Sequence, residues 1–299
     1  MTTSFRLLAV ACLAALAPSA WAQQAFPTPE AAADAFVAAL GTDKADTTRL
    51  AELLGPDWTQ YIPLDNVDRK DTDAFLARYR EHHEFQKSDA GHAVIAVGKE
   101  GWTLPIPLTK GASGWAFDLK AAEPELRARR IGRNELDVVQ AALAYVDAQE
   151  DYSREDRDGD GVLEYAQKFV STDGAHDGLY WEDDGSGEES PLGPLFGDDT
   201  PDGEWHGYHY RILTAQGESA PRGAYSYKLG DNMSRGFALV AWPARYGDSG
   251  VMSFIVSHDG EVFEKDMGPD SAKLAEAMAA FDPDSSWQEV KDTATAAAH

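Results

Sequence analysis

Cysteine is almost absent: Cys12 is the single cysteine in 299 residues, so no disulfide can form within the chain. Basic residues are scarce too, with 26 Lys and Arg against 51 Asp and Glu and a formal net charge of −25. A protein that neutralises phosphates needs clustered Lys and Arg, so this balance argues against nucleic acid and against adsorption to anionic lipid. Long apolar runs are missing as well, and no segment approaches the ~20 continuous apolar residues of a membrane helix. Three catalytic signatures are also lacking: the Gly-x-Ser-x-Gly elbow, the His-Glu-x-x-His helix and the phosphate loop. Gly185-Ser186-Gly187 lacks the strand–turn–helix setting of a nucleophile elbow. Carboxylate pairs identify no acid/base couple, because 51 acids guarantee chance pairs.

What is present is 43 % hydrophobic and 26 % charged residues, an ordinary globular balance with length for two domains. The N-terminus reads as a secretory signal. Met1 to Arg6 carries one positive charge, Leu7 to Ala17 is a short apolar run, and Ala20-Trp21-Ala22 is a small-x-small cleavage site. Cleavage is expected near Ala22, which removes Cys12 and implies a periplasmic or secreted chain without disulfides. Ala9-Val10-Ala11-Cys12 lacks the leucine three before the cysteine that a lipoprotein processing box carries.

Thr28-Pro29-Glu30 reads as a helix start, with Thr as N-cap and Pro in the first turn; Gly41 ends that helix. Further helices are expected over Thr48 to Leu54 and from Asp71, then strands over His92–Val97, Trp102–Leu108 and Trp115–Leu119. This order predicts an α+β unit over 23–132, and it resembles the cone-shaped nuclear-transport-factor-2-like fold. A long helix is expected from an Asn134 cap to Tyr152, with the boundary between domains near Arg133. Leu136, Val139, Leu143 and Val146 form one apolar stripe on it, and Val138, Tyr145 and Tyr152 a second. A short helix near Glu164 to Phe169 and an acidic surface loop over 182–204 follow. Strands are then expected over Tyr208–Thr214, Ala224–Leu229, Gly236–Trp242, Val251–Ser257 and Glu261–Lys265, with a hairpin at His258-Asp259-Gly260. A last helix over Ser271–Phe281 precedes a polar tail, 288–299.

One helix, an irregular loop and an antiparallel sheet over 133–287 resemble the globular part of pilins and pseudopilins. The strings from Gly207 to Leu213, Gly236 to Pro243 and Gly250 to Val256 look like core strands of that class. A pilin fuses its membrane helix directly to this helix, whereas here a signal and a whole domain come first. Most of 26–287 resembles a bacterial secreted family known as domain of unknown function 2950. The resemblance is carried by Arg130-Ile131-Gly132-Arg133-Asn134-Glu135, Tyr145 to Gln149, Asp156 to Gln167, Asp177 to Trp181 and Ser190 to Leu195. It implies export and a fold, and no reaction.

The strongest chemical signal is Asp156-Arg157-Asp158-Gly159-Asp160-Gly161-Val162-Leu163-Glu164-Tyr165-Ala166-Gln167. Alternating carboxylates converge on one ion and Gly161 permits the turn. Val162 would offer its carbonyl, Glu164 falls at position nine, and Gln167 stands where such loops carry a bidentate acid. One calcium is expected, with the missing carboxylate supplied by Asp177 or the acidic loop; the alternative is a solvated acidic turn. At ~0.1 mM affinity and ~1 mM calcium, binding adds about 1.4 kcal/mol, a structural role.

Asp177, Tyr180, Trp181, Trp205 and Tyr208 set aromatics beside carboxylates. They read as either a glycan-binding surface or core. His206 and His209 would point to opposite faces of a strand, which disfavours chelation. Arg127, Arg129, Arg130 and Arg133 would pair with carboxylates. Three functions are compatible: a non-enzymatic, calcium-stabilised envelope protein that binds a protein or polymer; a calcium-dependent hydrolase or lyase of envelope glycan; and a filament subunit or assembly factor.

Overall fold

A computed structural model describes residues 23–62, 67–89, 91–183, 185, 187–193 and 204–291. The signal segment with Cys12, much of the acidic loop and most of the polar tail lie outside the described residues. The chain divides between Leu126 and Arg127 into two compact units. Both combine helices with antiparallel sheet.

The first unit opens with α1 (Pro29–Leu40), where Thr28 Oγ1 accepts from Ala31 N at 3.2 Å. Next come α2 (Thr47–Leu54), α3 (Trp58–Tyr61) and α4 (Arg69–Glu81). Asp46 and Asp68 cap α2 and α4 through their side chains. Five strands follow: β1 (His83–Asp89), β2 (His92–Val97), β3 (Trp102–Thr103), β4 (Leu108–Gly111) and β5 (Gly114–Phe117). They pair β1-β2-β4-β5, with β3 also against β2. Phe36, Leu53, Leu76, Ile95, Leu108 and Phe117 fill the core between helices and sheet.

The expected strand over Trp102–Leu108 is in fact two pieces. Pro105 and Pro107 carry no N–H to donate to a ladder, and the chain leaves the sheet between β3 and β4. The most polar strand, β1, has no counterpart in the sequence reading; Phe85 is its one large apolar side chain.

α5 (Leu119–Tyr152) starts fifteen residues before the expected Asn134 cap. Its cap is Asp118, whose Oδ1 accepts from Ala121 N at 2.9 Å. Asn134 instead sits mid-helix and donates to Ser249 O at 2.7 Å. Glu135, the next residue, accepts from Val251 N and Met252 N, both at 2.9 Å. These anchors engage Asn134 and Glu135 inside a helix that runs on through Gly132.

In the second unit the main sheet comprises β6 (Tyr208–Leu213), β9 (Ala238–Pro243), β10 (Met252–Ser257), β11 (Val262–Asp266) and β12 (Gln288–Glu289). Its order is β12-β11-β10-β9-β6 and all pairs are antiparallel. A small ribbon, β7 (Ala215–Gln216) with β8 (Tyr225–Ser226), and α6 (Ser271–Ala277) complete the unit. The inner strand β9, between β10 and β6, is buried along its whole length. α5 lays Val138, Val139, Ala142 and Tyr145 into the core with β9 and β10. Leu136, placed in an apolar stripe by its spacing, is exposed.

The expected helix at Glu164–Phe169 is absent; that segment is irregular. Tyr165 N donates to Met233 O at 2.9 Å and Ala166 N to Gln149 Oε1 at 2.8 Å. These donors are spent on tertiary partners, so no turn of helix closes.

Candidate functional site

The aspartate loop, Asp156 to Gln167, follows the C-terminus of α5. Gly159 and Gly161 both take positive φ, 76° and 87°, where a side chain is disfavoured. Asp156 receives Gly159 N and Gly161 N on its two oxygens at 2.9 Å. Asp158 accepts from Asp160 N at 3.1 Å and Asp160 from Val162 N at 2.8 Å. These bonds fold the loop over its carboxylates, so that oxygens of Asp156, Asp158 and Asp160 lie within 4.8 Å of one another. Three like charges at that spacing repel. An all-oxygen set suits a hard cation such as calcium better than zinc or copper.

The rest of the loop is held by a turn that sequence spacing did not bring to it. Asn232 Nδ2 donates to Asp160 Oδ2 at 2.6 Å, and Met233 N to Glu164 Oε2 at 3.2 Å. Gln167 donates to Asp231 O at 2.7 Å, so its amide is engaged by that turn. Burial pushes the Glu164 carboxyl above its ordinary value, the Met233 amide opposes, and Asp158 and Asp160 push it further up. Val162 stands at loop position seven and is partly exposed. The partners on this turn lie 64 to 72 residues further along the chain than the loop residues they bind, and no local pattern announces it.

Two clasps tie the loop to the core. Gln149, fully buried, donates to Tyr145 Oη at 3.0 Å and to Ala166 O at 2.8 Å while accepting from Ala166 N. Arg157, at the loop's second position, has a side chain only 10 % exposed. Its guanidinium lies 4.9 Å from the Tyr152 ring and 5.1 Å from the Trp181 ring, and it ion-pairs with Glu188. Burial and the charge of Glu164 push the Tyr152 hydroxyl up to about 12, against the pull of Arg157. His176 stacks on Trp181 at 4.2 Å and meets Glu188 Oε2 at 3.0 Å.

The aromatic surface expected around Asp177 does not form. Tyr180, Trp181 and Tyr208 are buried in the core of the second unit, because their rings supply the apolar area a small sheet needs. Asp177 binds Lys168 and accepts from Thr172 N at 2.7 Å and Thr172 Oγ1 at 3.0 Å. Burial raises its pKa, but Lys168 and Thr172 outweigh that and hold the carboxyl below its ordinary value. Asp177 is thereby committed as a fold anchor and is a poor source for the missing loop carboxylate. Gly178 next to it passes so close to residues 170–171 that a Cβ would come within 2.8 Å of their backbone.

Trp205 and His206 do not lie in a strand. Trp205 and Tyr208 exchange backbone bonds at 2.8 and 3.0 Å around a two-residue turn in which His206 (φ 51°) and Gly207 (φ 72°) are both left-handed. His206 Nδ1 then lies 3.5 Å from Asp137 Oδ2. His209, in β6, tilts against Trp242 at 5.7 Å. The two histidines share no ligand position. Of the arginine cluster, Arg130 ion-pairs with Asp248, and Arg127 lies 4.0 Å from the same carboxylate.

The profile of a family described as Protein of unknown function (DUF2950) matches residues 23–290. No curated protein and no solved structure matches the chain. Among the described residues no helix is long and apolar enough to cross a membrane. The chain belongs to the DUF2950 family.

Proposed function

We propose that this member of the DUF2950 family is an exported, non-enzymatic envelope protein that binds a partner protein or polymer and is stabilised by one calcium ion. The observation that carries the reading is the approach of Asp156, Asp158 and Asp160 within 4.8 Å on a loop clasped to the core. Asp156, Asp158, Asp160 and Glu164 would hold the ion through carboxylate oxygens, with the Val162 carbonyl and water completing the shell. The ion would neutralise the repulsion at the loop and order the chain that follows it. Export is supported by the signal-like N-terminus. The compartment is then the periplasm or the exterior.

For fold kinship, the first unit reads as cone-like and the second as pilin-like. What supports this is element order: helices before a meander in one, a long helix before an antiparallel sheet in the other. The buried aromatics and the committed Asp177 weigh against the glycan-hydrolase reading.

The test of the binding role is co-sedimentation of the processed chain with envelope fractions, with and without calcium. Saturable sedimentation that weakens on chelation, with no turnover on a glycan panel, is the expected result. Turnover lost on substitution of an acid would replace this reading with an enzymatic one.

A further inference from the structure

We propose that Gln23 is a modification site under the control of the fold: as the first residue of the processed chain it has the chemistry to close into pyroglutamate, and the first unit holds its amide so that the α-ammonium stays free. The proposal rests on the cleavage near Ala22 that belongs to the export reading above. Its residues are separate from the aspartate loop.

A leading glutamine carries its own electrophile. The neutral α-amine nitrogen attacks Cδ, a five-membered lactam forms and the Cδ–Nε2 bond breaks. Nε2 leaves as ammonia with a proton from the amine, so no oxidant or second reactant is needed. The product has lost the positive charge of the terminus. The reaction requires the side chain to fold back onto its own backbone nitrogen and Nε2 to be released.

The structure opposes both movements. Gln23 Nε2 donates to Leu53 O at 2.7 Å and to Phe117 O at 2.6 Å, so both amide hydrogens are engaged. Leu53 stands in the last turn of α2, where carbonyls have no partner within the helix, and Phe117 closes β5. Turning the amide back toward the terminus would strip that donor from both carbonyls. The backbone that follows is held as well. Gln24 N donates to Glu52 O at 2.9 Å, and Phe26 and Trp115 exchange backbone bonds at 2.8 and 2.7 Å. The Phe26 ring is buried in the core of the first unit. Gly114, at φ 126°, passes so close to this segment that a Cβ would come within 2.3 Å of Phe26 O. Gln23, Gln24 and Phe26 are thus bonded into the unit directly after the expected cleavage point.

The test uses residues 23–299, released from a removable leader so that Gln23 comes first, and follows the N-terminal peptide by mass for loss of one ammonia. In the folded chain the glutamine should persist. In guanidinium chloride, at the same pH and temperature, it should cyclise about tenfold faster or more, the equivalent of one to two amide hydrogen bonds. Phe26→Ala, checked for a native circular dichroism spectrum, should raise the folded rate severalfold; Gly114→Ala, which presses on Phe26 O, takes its place if that variant does not fold. Equal rates in the folded and unfolded parent, or a folded variant that cyclises no faster than the parent, would overturn the proposal. The N-terminal mass of the exported protein reads the cleavage point separately. A start other than Gln23 there would sink the cleavage reading, while the chain made to begin at Gln23 still judges the clasp.

Discussion

Arg157 sits between two aspartates of an acidic loop, where sequence alone suggests a solvated cation. Its guanidinium is instead held between Tyr152 and Trp181 and paired with Glu188. Arg157→Ala should cost about 2–3 kcal/mol in urea unfolding, because the half-buried Glu188 loses the cation it pairs with and keeps the His176 contact. Arg157→Lys should not restore the loss, since a compact ammonium cannot stack between two rings. Gln149 makes a parallel case, as a fully buried amide with three hydrogen bonds. Gln149→Leu should cost about 3 kcal/mol in the same measurement, and it leaves the Ala166 amide and carbonyl unpaired. Asp156, Asp158 and Asp160 were legible because their spacing is itself the loop geometry. Asn232 and Met233 were not, because they reach the loop only through tertiary folding.

At the scale of elements, most helices and strands could be read from apolar spacing and caps; Thr28 and the strand at His92–Val97 are examples. The misreadings have local causes. Asn134 looked like a cap, but its side chain and that of Glu135 serve the turn at Ser249 to Met252 instead. Helix at Glu164–Phe169 failed because backbone donors there bind Met233 and Gln149. The continuous α5 is open to a direct check by hydrogen exchange. Amides of residues 123 and 125–133 should be protected alongside those of 135–150; free exchange over the first stretch would place the helix start at Asn134. Pro124, inside α5, has no amide to report.

Across the whole molecule the governing quantity is charge, −25 in 299 residues. Self-repulsion of this size destabilises a compact state, and bound cations or added salt relieve it. Glu164 gives the pH sign. A carboxyl raised in the folded state contributes stability that is full below its unfolded value and lost as pH rises through the folded one. In chelator at neutral pH, Glu164→Gln should therefore melt higher than the parent; with calcium the order should reverse, because a ligand oxygen has lost its charge. Melts with and without chelator read both. The family and the α+β character were accessible from long specific strings and element order, while the turn at Asp231 to Met233 needed the folded chain to bring it to the aspartate loop. The central claim is the cation loop, and calorimetric titration of residues 23–299 with calcium and then magnesium tests it most directly, beside the Asp158→Ala/Asp160→Ala variant. One calcium bound at sub-millimolar affinity by the parent and none by the variant is the predicted result. Heat from neither protein, or equal binding by both, would contradict it.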